Sequence, residues 1–259
     1  MSGWLNLLKK EYRMTKTSAF VLLGMLIIAG LWGVYSNREH WGIIFAPASL
    51  LLIFAVFYPA FYMLKSVHSE LKHTPHLWLH CPQPAWKLLS AKLTTAVAVM
   101  LAILAVGAVF VYITILNTHE RIGIPAGDLA LLATEVGAYL TVIVVGASIY
   151  MAVWGSLIAI AIASTRNVLG RYNWLAGIGT FFVATWGMDA LYESWVYQTL
   201  TQWGSLKINI LSLNKVLPST VNNHFEGINI YAGEMLGILL VTVIVFALSA
   251  WLIDNKVEV

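Results

Sequence analysis

Long apolar runs alternate with short polar connectors along the whole of this 259-residue chain. About 20 apolar residues in a helix, rising about 1.5 Å each, cross the ~30 Å hydrocarbon layer of a bilayer. Six runs reach that length: 17–35, 43–64, 93–116, 129–163, 172–192 and 230–253. The pattern predicts an all-α integral membrane protein of six transmembrane helices, forming one domain over residues 1–259. The fourth run is longer than a bilayer needs, so it must tilt, bend or project. Gly137, Gly146 and Gly155 give it small-residue positions suited to close helix packing.

The connectors are patterned too. Around 100° per residue, Trp4, Leu5, Leu7, Leu8 and Tyr12 share one arc, and Lys9, Lys10, Arg13 and Lys16 share the opposite one. Glu11 falls on the apolar side and spoils the segregation. Residues 1–16 therefore read as an interfacial helix, basic and Trp-bearing, lying at the membrane surface. The loop at 65–92 starts charged with Glu70 and Lys72 and reaches Thr74-Pro75, which opens a helix well. An apolar turn at Leu77-Trp78-Leu79 follows, stopped by Cys81-Pro82-Gln83-Pro84. It predicts a short helix on the membrane surface, presented for contact with something else. Residues 193–229, the largest opposite connector, alternate apolar and polar groups without strong charge, as expected of short helices dipping into an interface.

Composition agrees with this class: 59% of residues are hydrophobic and 10% charged. The N-terminal run is long for a signal peptide and lacks a small-x-small site, so it is expected to be a retained span. The one cysteine, Cys81, precludes an intrachain disulfide. With six spans, Lys9, Lys10, Arg13, Lys16, Lys65, Lys72, Lys87, Lys92, Arg166, Arg171 and Lys256 share one side. Only Arg38, Arg121, Lys207 and Lys215 take the other. Eleven against four places both termini and the 65–92 loop in the cytoplasm. The net charge of +3 is thus a topology signal and gives no reason to invoke nucleic acid.

Candidate chemistry is sparse. No Gly-Lys pair, Gly-x-Ser-x-Gly or His-Glu-x-x-His occurs, so energy from ATP would have to come from a partner. His68, His73, His76 and His80 crowd the cytoplasmic loop, and His76 with His80 could share a metal on a helix. Solvated interfacial histidines are the preferred reading, with no metal site. Glu135, Asp189, Glu193 and Glu234 could relay a proton or cation. Their places near helix ends favour solvation, or a local pair with Arg121. Tyr150, Trp154 and Trp186 lie deeper than the belt tryptophans and could line a path for an amphipathic substrate, although core packing is the default.

Lys10-Glu11-Tyr12-Arg13 ahead of six spans, and the run Glu70 to Lys92 after the second, resemble the permease subunits of type-2 ATP-binding cassette exporters. That family shows an acidic residue, a Gly-Thr-leucine turn, a proline and a leucine-rich run ending in Lys. Here His73 stands before Thr74, and Pro75 follows it. The resemblance implies a short cytoplasmic coupling helix between spans two and three, with Glu70, Lys72, Thr74, Leu77, Trp78 and Leu79 as the docking surface. Lys9, Lys10, Glu11 and Arg13 would brace it, and 193–229 would hold the external re-entrant segment. It also implies a P-loop ATPase partner that binds ATP and Mg, and a second permease copy or homologue to complete a dimer. The chain itself would hold no cofactor, catalyse nothing, and sit among lipid in a bacterial cytoplasmic membrane. The substrate expected is amphipathic or hydrophobic: a peptide, drug or lipid. Two rival readings are a membrane binding or immunity protein that transports nothing, and an ion carrier using the intramembrane carboxylates.

Overall fold

A computed structural model describes residues 2–36, 45–73, 83–208, 210, 212–213 and 228–256. Helix α1 (Ser2–Ser36) is followed by α2 (Phe45–His73), α3 (Ala85–Ile122) and α4 (Ala126–Ser164). A short helix α5 (Arg166–Leu169) and a 3₁₀ turn lead to α6 (Trp174–Phe182). A five-residue π-helical turn, Val183–Gly187, joins α6 to α7 (Met188–Glu193). Then come α8 (Trp195–Thr201), strands β1 (Ser205–Ile208) and β2 (Ile228–Tyr231), and α9 (Ala232–Lys256).

Among the described residues four helices are long and apolar enough to cross a membrane: α1, α3, α4 and α9. This is a multi-pass membrane protein. The second expected span is α2, 29 residues long with Pro59 inside it. The fifth falls on α6 and α7, in pieces of nine, five and six residues around the π turn. No boundary separates the basic N-terminal stretch from the first apolar run. They form one helix of 35 residues, because nothing between them breaks the backbone ladder.

The fold is not purely helical. Within 193–229, where short helices were expected, β1 and β2 pair antiparallel, Ser205 opposite Tyr231 and Ile208 opposite Ile228. Alternating Leu206, Ile208, Ile228 and Ile230 suit a ribbon. Gly204 enters it at φ +69 and accepts from the Ala232 N–H at 3.0 Å, a conformation that favours glycine.

The helices converge at the end where α2 stops and α3 starts. Val67 and Leu71 of α2, Leu89 of α3, Ile160 of α4 and Ile253 of α9 make a continuous buried core there. We call this the base. α2 and α4 share the most extensive helix interface, while α1 packs chiefly along α3.

Candidate functional site

The base holds a buried charge network. Lys92, eight residues into α3, is the largest fully buried side chain described. A lysine ammonium carries three donors, and here each has an acceptor. Nζ lies 2.9 Å from Glu11 Oε1, 3.0 Å from Glu70 Oε1 and 2.8 Å from Ser66 Oγ. Glu11 retains only 5% of its side-chain exposure. Its second oxygen accepts from the Tyr62 hydroxyl at 3.1 Å, and the Thr15 hydroxyl lies 2.8 Å from the same phenol oxygen. Lys10, half exposed, reaches Glu70 at 3.5 Å. That rim pair is worth little in water; the pairs on Lys92 are shielded.

Local sequence positions these groups. Glu11 and Thr15 are spaced i,i+4 on α1, and Tyr62, Ser66 and Glu70 repeat at i,i+4,i+8 on α2, so each set forms one stripe. Further bonds tie the start of α3. The Trp4 indole N–H donates to Ser90 Oγ at 3.2 Å, and Asp254 of α9 accepts from the Ala85 N–H at 3.2 Å. Both exits of the 74–82 segment are thus held by side chains remote in sequence.

The expected site residues divide accordingly. Glu11 and Glu70 are joined through Lys92. Lys9, Lys10, Arg13 and Lys72 are exposed. Thr74, Leu77, Trp78 and Leu79 lie outside the described residues, as do His76, His80 and the expected coupling helix itself. Among the described residues no three His, Cys, Asp or Glu gather as for a metal. Lys92, Tyr62, Ser66, Thr15 and Asp254 were missed; the i,i+4 stripe of α2 was the signal that could have found three of the network's partners.

Tyr150 and Trp154 meet edge to face, with centroids 6.4 Å apart. Trp154 is buried, and its indole N–H finds no acceptor among the described residues. Trp186 does not join them: it is 73% exposed and packs on Phe182 instead.

At the opposite end, Glu135 accepts from both the backbone N–H and the hydroxyl of buried Ser212. Its carboxylate therefore anchors the connector between α8 and α9, a role that helix-end solvation or an Arg121 pair did not anticipate. Helix α8 seats on α9 through a Gly-x-x-x-Gly motif. A Cβ at Gly233 would lie 2.1 Å from Thr201 O, and one at Gly237 would lie 2.5 Å from the Tyr197 hydroxyl. Burial pushes the Tyr197 phenol above its ordinary pKa, and Glu234 and Tyr150 add to this. Glu135→Ala should leave the Ser212 donors unpaired, at about 1–3 kcal/mol. Faster proteolytic nicking within 193–229 than in wild type is the expected result. Unchanged cleavage would mean that the anchor contributes nothing.

No protein-family model matches this sequence, and no curated protein or solved structure matches it.

Proposed function

We propose that this chain is the permease subunit of an ATP-driven exporter, crossing a bacterial cytoplasmic membrane six times with both termini inside. It works as a dimer with a second copy or homologue. A P-loop ATPase binds ATP and Mg and docks on the surface from Glu70 to Leu79, and the substrate is an amphipathic or hydrophobic peptide, drug or lipid. The observation that supports this most is the network on Lys92. A docking loop can move transmembrane helices only if its two ends are rigidly joined to them, since force is lost through a slack connection. Here Lys92 near the start of α3 is bonded both to Glu70 at the end of α2 and to Glu11 of α1. A push on the loop would reach three helices at once. Leu77, Trp78 and Leu79 would fill a groove on the ATPase, as apolar anchors do at interface centres. Tyr150 and Trp154 remain candidates for the substrate path, the buried indole N–H offering a donor to a polar group of the substrate.

The test is a pull-down of the tagged chain from mild detergent, with mass spectrometry of the soluble proteins that follow. A stoichiometric P-loop ATPase is expected with wild type. Trp78→Glu should insert normally yet lose the ATPase and its stimulated hydrolysis. Recovery of the wild-type chain without any nucleotide-binding partner overturns the reading in favour of a membrane binding protein.

A further inference from the structure

Helices α1 and α2 both pack on α3, and beyond the bonds of Tyr62 to Glu11 and Thr15 they share no extensive interface with each other. Above the charge network this leaves an apolar groove of about 590 Å³, within the range of small-ligand pockets. Its walls include Leu26 and Ala29 of α1, Phe57 and Phe61 of α2, and Phe110 and Val111 of α3. Gly33 identifies it as real space. The residue is buried, yet a Cβ built on it would meet no atom within 4 Å. The hydroxyl of Thr114, one of the few polar groups on the walls, is donated to the Phe110 carbonyl at 2.8 Å.

Position and length select the occupant. The wall on α1 runs from Leu22 to Val34. At about 1.5 Å per residue that is about 18 Å, against the ~15 Å of one leaflet's hydrocarbon. Both α1 and α3 are helices apolar enough to cross the membrane, so the medium that reaches the groove is hydrocarbon. Its floor is closed to a headgroup. Thr15 and Glu11 lie seven and eleven residues before Leu22 on the same face of α1, and Lys92 lies eleven before Ile103 on α3. Those charges are already paired with one another, so nothing there invites a further polar group. We infer that the groove between α1 and α2 holds one acyl chain of a phospholipid from the leaflet opposite the base. The headgroup stays at the far mouth and the chain ends above the Tyr62–Glu11 floor. Recognition is by the chain, so headgroup identity matters little. The inference stands whether or not an ATPase docks at the base.

The test uses the delipidated full chain in detergent, titrated with dioleoyl phosphatidylglycerol and separately with dioleoyl phosphatidylethanolamine, and read by native mass spectrometry. One tightly held lipid is expected with either headgroup. Gly33→Leu fills the groove and should weaken that binding about tenfold. Gly24→Leu, equally open on α1 but away from the groove, should bind as wild type. Should Gly33→Leu fail to fold, Ala29→Leu on the same wall takes its place. Undiminished lipid binding in the filled variant overturns the assignment, as does binding of one headgroup alone. Loss of a dimer with lipid binding intact would overturn it too, showing that a second copy covers the groove.

Discussion

Replacing Lys92 with methionine should destabilise the protein by about 3–5 kcal/mol, because it strands the buried Glu11 carboxylate and takes from Glu70 its one shielded cation. Glu11 and Glu70 would face each other across the space the ammonium left, with 5% and 15% of their side chains exposed. Methionine nearly matches the lysine stem in volume, so the loss isolates the charge from the packing. Two comparisons make the result specific. Lys10→Met removes the half-exposed partner of Glu70 and should cost under about 1 kcal/mol. A triple variant, Lys92→Met with Glu11→Gln and Glu70→Gln, removes the whole charge set and should recover most of the loss, since neutralising both sides is far cheaper than orphaning one. Thermal melting of the tagged protein in detergent, followed by size-exclusion recovery, measures all three. Equal melting of Lys92→Met and Lys10→Met would show that the network is not what holds the base together.

This network also shows where reading the chain residue by residue stopped. The 100° periodicity of 1–16 already put Glu11 on the apolar arc, as an exception to the pattern. It does not say what Glu11 meets there, because its partner is 81 residues away. By position Lys92 belongs with the cytoplasmic charges, as any lysine at a helix boundary does. Only the packing of α1 on α3 and α2 on α3 turns it inward. Four of the apolar runs were legible as membrane-length helices because span length is set by the bilayer, a constraint local to each segment. The ribbon was not. Each strand is four residues long, and twenty residues separate Ile208 from the Ile228 it faces, so no local alternation could pair them. The Gly233–Gly237 motif stood in plain view, yet its partner, α8, is the kind of short helix that propensity alone does not define. In the long fourth run, three glycines offered the same local signal, and only tertiary contact separates them.

That separation gives the second large expected effect: Gly155→Leu should be severely destabilising while Gly137→Leu and Gly146→Leu are nearly neutral. A Cβ at Gly155 would lie 2.8 Å from the Ala60 carbonyl oxygen, whereas one at Gly137 or Gly146 meets nothing within 4 Å. The obstacle is backbone, so no rotamer change relieves it. Overpacking by a few methyl groups costs about 1–3 kcal/mol even where side chains can give; here α2 and α4 must part along their most extensive interface. Within a bilayer nothing but close packing and polar contact holds two helices together, since lipid is as apolar as leucine. The site is also the weak point of α2. Pro59 has no N–H, so the Ala55 carbonyl lacks its intrahelical donor one turn back. Melting in detergent should therefore rank Gly155→Leu far below the other two, and equal losses at all three would refute the contact as the cause. Its reach can be measured as well. Met63 and Val67, on α2 between Ala60 and Glu70, pack in the same core as Ala152 and Ala159 of α4. Moving α2 away from Gly155 should drag Glu70 from Lys92. The loss from Gly155→Leu should then be smaller in the Lys92→Met background than in wild type. Strict additivity would instead mean that α2 yields at Pro59 and leaves the base undisturbed.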